Sequence, residues 1–302
     1  MAVRIPKLGI ALSGGGIRGA VHFGILKVLK QNRIIPDMLA GTSAGSIAGA
    51  FFACDVDIDD FMNRKFKEIN ALNILDPAFS CGYLLMLVYY YWTKRPMTMW
   101  TFPDGLFKGE KIEKYLEDLF GRRKFKDLKI PLTVISVDID TGETVVFCPN
   151  KCVPKSRPAD TVYITDASVA EAVRASISLP GVFVPKRIKG RRLVDGGIKN
   201  NIPLDVLYHQ GADKIIAIDL GVTKKRAKAD SIVEILMATV DIMGDELSSY
   251  IRRSYPGYFI FPDLRGGSYK DFSKVPKYIK YGEDVCKKSL PGIKDFIGNV
   301  TK

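Results

Sequence analysis

Two glycine-rich turns lie close together near the N-terminus of the chain. The first, Gly14–Gly19 (GGGIRG), follows the apolar run Leu8–Leu12, and the second, Gly41–Gly45 (GTSAG), follows the short segment Asp37–Ala40. A helical pattern begins at each turn. A buried strand that enters a glycine turn and continues as a helix is the repeating unit of α/β folds. The two turns therefore predict a sheet of parallel strands covered by helices.

The rest of the chain repeats this alternation of apolar runs and amphipathic segments. We predict further strands at Ile130–Ile139, Thr144–Cys148, Lys214–Leu220 and Tyr258–Phe261, a hairpin at Val182–Val194, and helices at Ile17–Lys30, Ala44–Ala53, Gly109–Leu119, Ser168–Ala175, Pro203–His209 and Ser231–Ile251. Strands that are apolar throughout are typical of parallel sheets with helices on both faces. The sequence predicts one α/β domain with an irregular insertion at about residues 55–107.

The composition agrees with a large folded core. The chain has 302 residues, of which 47% are hydrophobic and 26% are charged, and this balance excludes intrinsic disorder and low-complexity structure. No proline-, glycine- or serine-rich linker divides the chain. We therefore treat residues 1–302 as a single domain.

The net charge of +12 favours an anionic partner. A phospholipid surface, a phosphate-bearing substrate and nucleic acid all meet that condition. The sequence contains no signature of a nucleic-acid-binding module, so we expect no nucleic acid partner.

The cysteines and the apolar runs indicate a soluble, cytoplasmic protein. The five cysteines are an odd and scattered set, which favours a reducing compartment, and Cys148 and Cys152 lack further ligands at zinc spacing. The N-terminus shows no export signal.

The longest apolar run, Tyr83–Trp92, has about half of the ~20 residues that span a bilayer. We leave three roles open for it: part of the core, a lid, or the wall of an acyl-chain channel.

The segment Gly41-Thr42-Ser43-Ala44-Gly45 matches the G-x-S-x-G pattern of a nucleophile elbow. In such a turn the serine is strained between strand and helix, and the flanking glycines avoid steric overlap. The N-terminus of the following helix favours negative charge that develops near the serine hydroxyl. Ser43 is therefore a candidate nucleophile, with a plain strand-to-helix turn as the alternative.

The first glycine turn also matches the spacing of a dinucleotide-binding loop at Gly14, Gly16 and Gly19. That site needs an acidic residue at the end of the second strand, where this chain has Gly-Thr-Ser instead. A P-loop is excluded because Ala20 stands at the position of its lysine. Consecutive N–H groups at a helix start can instead form an oxyanion hole. Arg18 would stiffen this loop, bind a phosphate or lie on the surface.

A serine nucleophile needs a base, and the sequence offers three candidates. His22 lies in the first predicted helix, and His209 ends a later one, although the chain order Ser43, Asp195, His209 is that of the α/β hydrolases. Asp195 precedes two glycines, so it can approach another loop closely, and desolvation would raise its pKa towards that of a general base. Asp195 is the better candidate, with a turn-forming Asp-Gly pair as the alternative.

The three motifs GGGIRG, GTSAG and DGG, in this order and in these strand contexts, resemble the patatin-like phospholipase family, and Asn200–Pro203 continues the likeness. The resemblance covers about residues 7–221. It implies a three-layer α/β/α sandwich around a mostly parallel sheet and a Ser–Asp dyad without metal or cofactor. The resemblance implies that Ser43 is the nucleophile and Asp195 the base. It implies an oxyanion hole formed by Gly14, Gly15, Gly16 and Ala44. It also implies supporting roles for Arg18, Gly19, Gly41, Gly45, Gly196 and Gly197.

The resemblance implies a lipid acyl hydrolase that cleaves carboxylic esters of phospholipids or lysophospholipids through an acyl-Ser43 intermediate. An acyl thioesterase or an acyltransferase with the same dyad is an alternative. So is a membrane-associated binding protein whose dyad is idle.

The C-terminal extension, at about residues 270–302, is basic and amphipathic. From Lys274 to Gly298, lysines alternate with apolar residues, and Pro291 should break the segment in two. Such a segment can lay its apolar face on an anionic membrane surface. The alternative is a helix packed on the sheet with its lysines in water.

Overall fold

The computed structural model describes residues 6–68, 74–78, 91–93, 104–221, 231–264 and 271–298. The strands are β1 Leu8–Leu12, β2 Met38–Thr42, β3 Gly105–Phe107, β4 Leu132–Asp138, β5 Thr144–Phe147, β6 Thr161–Ile164, β7 Gly181–Phe183, β8 Lys186–Ile188, β9 Arg191–Asp195, β10 Lys214–Ile218 and β11 Tyr258–Ile260. The helices are α1 Ala20–Gln31, α2 Ala44–Ala53, α3 Ile58–Arg64, α4 Glu110–Phe120, α5 Val169–Ser176, α6 Leu204–His209, α7 Ile232–Ser254 and α8 Val275–Ile297.

The main sheet has the strand order β11-β10-β1-β2-β4-β5-β6, and its first five strands are parallel. Side chains on alternate positions of β1 face opposite layers. Ile10 and Leu12 pack with α1, α2 and α8, whereas Ala11 packs with α6. Helices therefore cover both faces of the sheet, and the predicted α/β fold class is confirmed.

Two strands meet end to end along one edge of β4. The parallel strand β2 pairs with the first half of β4 as far as Thr42 opposite Ile135. The antiparallel strand β9 pairs with the second half, with Asp195 opposite Ser136. Ile135 and Ser136 are consecutive residues of β4. The carboxyl ends of β2 and β9 therefore meet at the same point along this edge of β4.

The predicted elements near the N-terminus are largely confirmed. Leu8–Leu12 and Ala44–Ala53 have the predicted bounds. The predicted end of the second strand at Ala40 is wrong, because β2 continues to Thr42 and reaches Ser43 directly. The predicted first helix begins as a 3₁₀ turn at Gly16–Gly19 before α1.

The C-terminal helix α8 packs against α1, and its apolar face belongs to the core. Gly24 and Gly282 let the two helices touch, because a Cβ at either position would overlap the backbone of the other helix. Tyr278, Ile279 and Ile293, three of the apolar residues that would have faced lipid in the membrane interpretation, are buried in the protein. The alternative of a packed helix with exposed lysines is therefore the observed one.

The predicted break at Pro291 is wrong, because α8 continues through it to Ile297. Proline inside a helix costs about 3 kcal/mol, because it removes one hydrogen bond and its ring crowds the carbonyl four residues earlier. Pro291 and Lys287, whose carbonyl loses that bond, lie on the exposed side of α8, where water can replace it. Burial of Ile297 and the Lys214 ammonium group, which donates to the carbonyl of Ile297 at 2.8 Å, hold the last turn.

The insertion is described only in part. It contributes α3 and β3, and β3 pairs with β7 in a small parallel sheet. Most of the Tyr83–Trp92 run lies outside the described residues, and its last two residues are exposed. Among the residues the structure describes, no helix is long and apolar enough to cross a membrane.

Candidate active site

Ser43 lies in the tight turn between β2 and α2. Its backbone has φ 52° and ψ −122°, a conformation that strains any residue with a Cβ. Gly41 and Gly45 permit the turn, because a Cβ on Gly41 would overlap the carbonyl of Gly45, and one on Gly45 would overlap that of Leu12. The N–H of Ser43 donates to Oγ of Ser176 at 2.9 Å. The elbow predicted from the sequence is therefore present and anchored.

Asp195 ends β9 directly opposite this turn. Its Oδ2 accepts a hydrogen bond from Oγ of Ser43 at 2.6 Å, and its Oδ1 accepts one from the N–H of Gly197 at 2.8 Å. The N–H of Asp195 donates to the carbonyl of Ser178 at 2.9 Å. Gly196 lies against the carbonyl of Ile135 on β4. Both carboxylate oxygens are thus held, and one of them faces the candidate nucleophile.

Burial shapes the electrostatics of this pair. Asp195 is 4% exposed, and the loss of solvation raises its pKa to about 6. Hydrogen bonds from Ser43 and Gly197 lower that pKa, and the charge of Asp241 raises it. The carboxylate is therefore mostly ionised at pH 7 and more basic than an exposed aspartate, which suits a general base.

The glycine loop lies beside the elbow, but its donors differ from the expected set. The N–H of Gly14 donates to the carbonyl of Asn201 at 3.1 Å, so Gly14 is not a free oxyanion donor. This part of the expectation is wrong because Asn201, distant in sequence, reaches the loop. The N–H groups of Gly15, Gly16 and Ala44 have no hydrogen-bond partner within the described part of the chain. They are available to an oxyanion.

Arg18 braces this loop from inside the protein. Its side chain is buried, its Nε donates to the carbonyl of Gly15 at 3.2 Å, and its guanidinium group pairs with Asp241 on α7. Of the three roles left open by the sequence, these contacts match the stiffening of the loop. Gly19, one residue further, lies against Ala44 and brings the loop onto the start of α2.

Neither histidine contacts the dyad. His22 is fully buried, its Nε2 lies 2.9 Å from the carbonyl of Ser13, and burial lowers its pKa to about 4. His209 is exposed, and its Nε2 lies 3.3 Å from the hydroxyl of Tyr255. The chain order of a Ser–Asp–His triad is therefore present in the sequence but is not assembled in the structure.

Several supporting residues were missed by the sequence analysis. Ser176 and Ser178 follow each other closely at the end of α5 and hold the backbones of Ser43 and Asp195. The carbonyl of Asn200 accepts the hydroxyl of Thr42 at 2.8 Å, next to the bond from Gly14 to Asn201. Short polar residues at such positions carry no motif. Of these supporting residues, only the pair Asn200-Asn201 after the DGG motif was indicated by the sequence.

No cluster of three or more metal-ligating side chains occurs among the described residues. Cys148 and Cys152 are buried free thiols, and burial raises the pKa of Cys148 to about 12.

Comparison with known proteins identifies the family. The family model of the patatin-like phospholipases matches residues 10–208, which include both glycine turns and Asp195. Neuropathy target esterase sws of Drosophila melanogaster is 31% identical over 225 residues, which are 71% of this chain and 13% of that protein. An NTE family protein of Mycobacterium tuberculosis is 28% identical over 217 residues, which are 71% of this chain and 49% of that protein. The chain thus matches less than half the length of these relatives.

Among solved structures, VipD from Legionella pneumophila overlaps 96% of this chain and 67% of its own, with a TM-score of 0.48 and 16% identity. Human GIVD cytosolic phospholipase A2 overlaps 97% of this chain and 59% of its own, with a TM-score of 0.48 and 14% identity. The matched family model includes strands β2 to β9, the elbow at Ser43 and the Asp195–Gly197 turn described above. This chain is a member of the patatin-like phospholipase family.

Proposed function

We propose that this protein is a lipid acyl hydrolase of the phospholipase A or lysophospholipase type. Ser43 is the nucleophile and Asp195 is the general base. The observation that carries the proposal is the 2.6 Å hydrogen bond from Oγ of Ser43 to the buried carboxylate of Asp195, at a strained elbow beside unpartnered N–H groups. Family membership supports the same chemistry.

The geometry suggests the order of proton movements. Asp195 accepts the proton of Ser43 as Oγ attacks the ester carbonyl, and the N–H groups of Gly15, Gly16 and Ala44 stabilise the oxyanion. Asp195 then donates the proton to the departing alcohol, which leaves an acyl-serine ester. In the second half-reaction Asp195 takes a proton from water, the hydroxide attacks the acyl group, and Ser43 recovers its proton as the fatty acid leaves.

Hydrolysis of a mixed panel of substrates tests the proposal. The panel contains phospholipids, lysophospholipids, acyl-CoA thioesters and simple p-nitrophenyl esters, with wild type and Ser43→Ala compared at equal concentration. We expect fatty acid release from the oxygen esters by wild type only. A preference for thioesters would indicate a thioesterase, and acyl transfer to an added alcohol would indicate an acyltransferase. Turnover that survives in Ser43→Ala, or no turnover of any substrate, would contradict the proposal.

Peripheral association with an anionic membrane is part of this proposal, and we assign it to α7. The side of α7 that faces the protein carries Asp241 and the buried Ser248, whereas its outer side exposes Ile235, Leu236, Ile242, Met243 and Tyr250. The ion pair of Asp241 with Arg18 ties the inner side of this helix to the glycine loop of the candidate active site. The net charge of +12 complements anionic lipid head groups.

Co-sedimentation with vesicles tests this assignment. We expect wild type to bind phosphatidylserine-containing vesicles better than phosphatidylcholine vesicles, and to bind less at high salt. The double substitution Ile242→Glu and Met243→Glu should weaken binding. Ile139→Glu is the control for an added surface carboxylate, because Ile139 is also exposed but directly follows β4. Equal binding by both variants would contradict the assignment to α7.

A further inference from the structure

An apolar pocket of about 170 Å³ opens beside Gly16 and Ala44. Its walls include Phe23 of α1, Phe51 of α2 and Phe61 of α3. All of its lining residues are glycine, alanine or larger apolar residues, without a charged or hydrogen-bonding side chain. A pocket of this kind fits a hydrocarbon and offers nothing to a polar ligand.

Another part of the wall comes from the C-terminal part of the chain. Phe272, Val275 and Ile279 line the pocket together with residues of α1, α2 and α3. These three residues lie outside residues 10–208, the range that the family model matches. The close contact of α8 with α1 at Gly24 and Gly282 holds this wall in place. The pocket is therefore completed by a segment that the family's common core does not include.

The pocket lies beside the proposed oxyanion donors. Gly16 and Ala44 line it and also carry unpartnered N–H groups assigned to the oxyanion. A carbonyl oxygen bound to these N–H groups leaves the acyl chain of the same ester next to the pocket. We propose that this pocket binds the acyl chain of the substrate, and that the C-terminal segment Phe272–Ile279 sets the preferred chain length. This inference rests on the proposed function.

Two aromatic rings separate the pocket from a second cavity. Phe23 and Phe51 pack edge to face with ring centroids 5.0 Å apart. Both side chains line the pocket and also a second cavity of about 300 Å³. The loss of the Phe23 ring should therefore join the two spaces and lengthen the room for an acyl chain.

Acyl-chain profiles of designed variants test this assignment, measured as kcat/KM on p-nitrophenyl esters from butyrate to palmitate. Each methylene that a substituted side chain excludes should cost a factor of roughly four, the equivalent of about 0.8 kcal/mol. Val275→Trp should retain butyrate hydrolysis within about twofold and lower palmitate hydrolysis by about tenfold or more. Phe23→Ala should shift the preferred chain towards greater length.

Two exposed phenylalanines provide a variant and its matched control, so that loss of a pocket contact can be told from misfolding. Phe272 is 54% exposed and lines the pocket, whereas Phe261 is 48% exposed and does not. Phe272→Ala should reduce activity on long chains selectively, and Phe261→Ala should leave the profile unchanged. Profiles of Val275→Trp and Phe272→Ala that match wild type would overturn the assignment.

Binding of dodecanoate to Ser43→Ala separates this inference from the proposed function. We expect saturable binding that Val275→Trp, introduced into the same background, weakens by about tenfold, the effect of roughly two lost methylene contacts. This result without ester hydrolysis by wild type would sustain the pocket and refute the hydrolase. Hydrolysis by wild type with dodecanoate binding that is unaffected by Val275→Trp would refute the pocket and sustain the hydrolase.

Discussion

Asp195 and His209 are both candidate bases in the sequence, and the structure places them in opposite environments. Asp195 is buried at the end of β9, bonds to Ser43 and has a pKa raised to about 6. His209 is exposed at the end of α6 and bonds to Tyr255. The order of residues along the chain fits either base. The pairing of β2 and β9 on the same edge of β4 brings Asp195, and not His209, to Ser43.

Strand register brings Asp195 and Ser43 together. Thr42 and Asp195 lie opposite consecutive residues of β4, which brings the carboxylate to the serine without any loop having to fold over the site. Held in this way, Asp195 is buried and interacts with Ser43, Gly197 and Asp241. An exposed histidine at a helix end has no comparable constraint.

The largest expected difference between the two bases is in catalysis. Asp195→Asn keeps the shape and the contact with Ser43 but cannot accept a proton, so kcat/KM on a p-nitrophenyl ester should fall by about 10²–10⁴-fold. Circular dichroism should show an unchanged fold. Retention of more than about a tenth of the wild-type activity would remove Asp195 as the base.

The next effect is on stability and depends on pH. The pKa of Asp195 is raised from 3.8 to about 6 in the folded protein, so its contribution to stability is complete below pH 4 and is lost as pH rises through about 6. Ionisation therefore destabilises the fold by about 3 kcal/mol. Asp195→Asn should be more stable than wild type to urea at pH 7.5, and the difference should vanish near pH 4.

Comparison of this variant with wild type at each pH cancels the contributions of other groups. These include His22, whose pKa is lowered to about 4 and whose contribution is lost as pH falls from 6.5. A stability difference that is constant with pH would contradict the buried, ionisable state of Asp195.

A smaller effect is expected from the residue that anchors the elbow. Ser176→Ala removes the acceptor of the Ser43 N–H and leaves a partly buried donor without a partner, which costs about 1–3 kcal/mol of stability. We expect kcat to fall by roughly tenfold, because Oγ of Ser43 loses its fixed position, with little change in KM. Ser249→Ala is the control, because Ser249 is a serine of α7 whose hydroxyl bonds only within its own helix. Equal kcat values for both variants would show that Ser176 does not position Ser43.

Much of the site was predictable from the sequence because its requirements are local. The strained turn at Ser43 needs glycine neighbours, and α2 follows it with the predicted bounds. Asp195 stood out because two glycines follow it. These features depend on backbone geometry within a few residues, and such geometry leaves a mark in the sequence.

The features that were not predicted depend on contacts between distant residues. The bond from Gly14 to Asn201 removes one expected oxyanion donor, and the anchor at Ser176 carries no motif. In α8, the lysine pattern fits a membrane surface equally well until the Gly24–Gly282 contact with α1 is known. Pro291 is tolerated because the burial of Ile297, in the last turn of α8, outweighs the hydrogen bond lost at the proline.

The smallest expected effect is at the rejected base. His209→Ala should change kcat/KM by no more than about twofold, because removing an exposed side chain remote from the reacting atoms has little effect. The same ester assay measures it beside Asp195→Asn. A loss comparable to that of Asp195→Asn would mean that His209 reaches the site during turnover.

In the proposed mechanism Asp195, and not a histidine, activates Ser43. The most direct measurement is the rate at which a fluorophosphonate modifies the protein as a function of pH, with the modified residue located by mass spectrometry. We predict an adduct on Ser43 whose rate of formation rises with pH to a plateau, with a midpoint near the pKa of Asp195, about 6. His209→Ala should give the same curve, and Asp195→Asn should abolish the pH-dependent rise. An adduct on another residue would contradict this mechanism. So would a pH-dependent increase in the rate that survives in Asp195→Asn and disappears in His209→Ala.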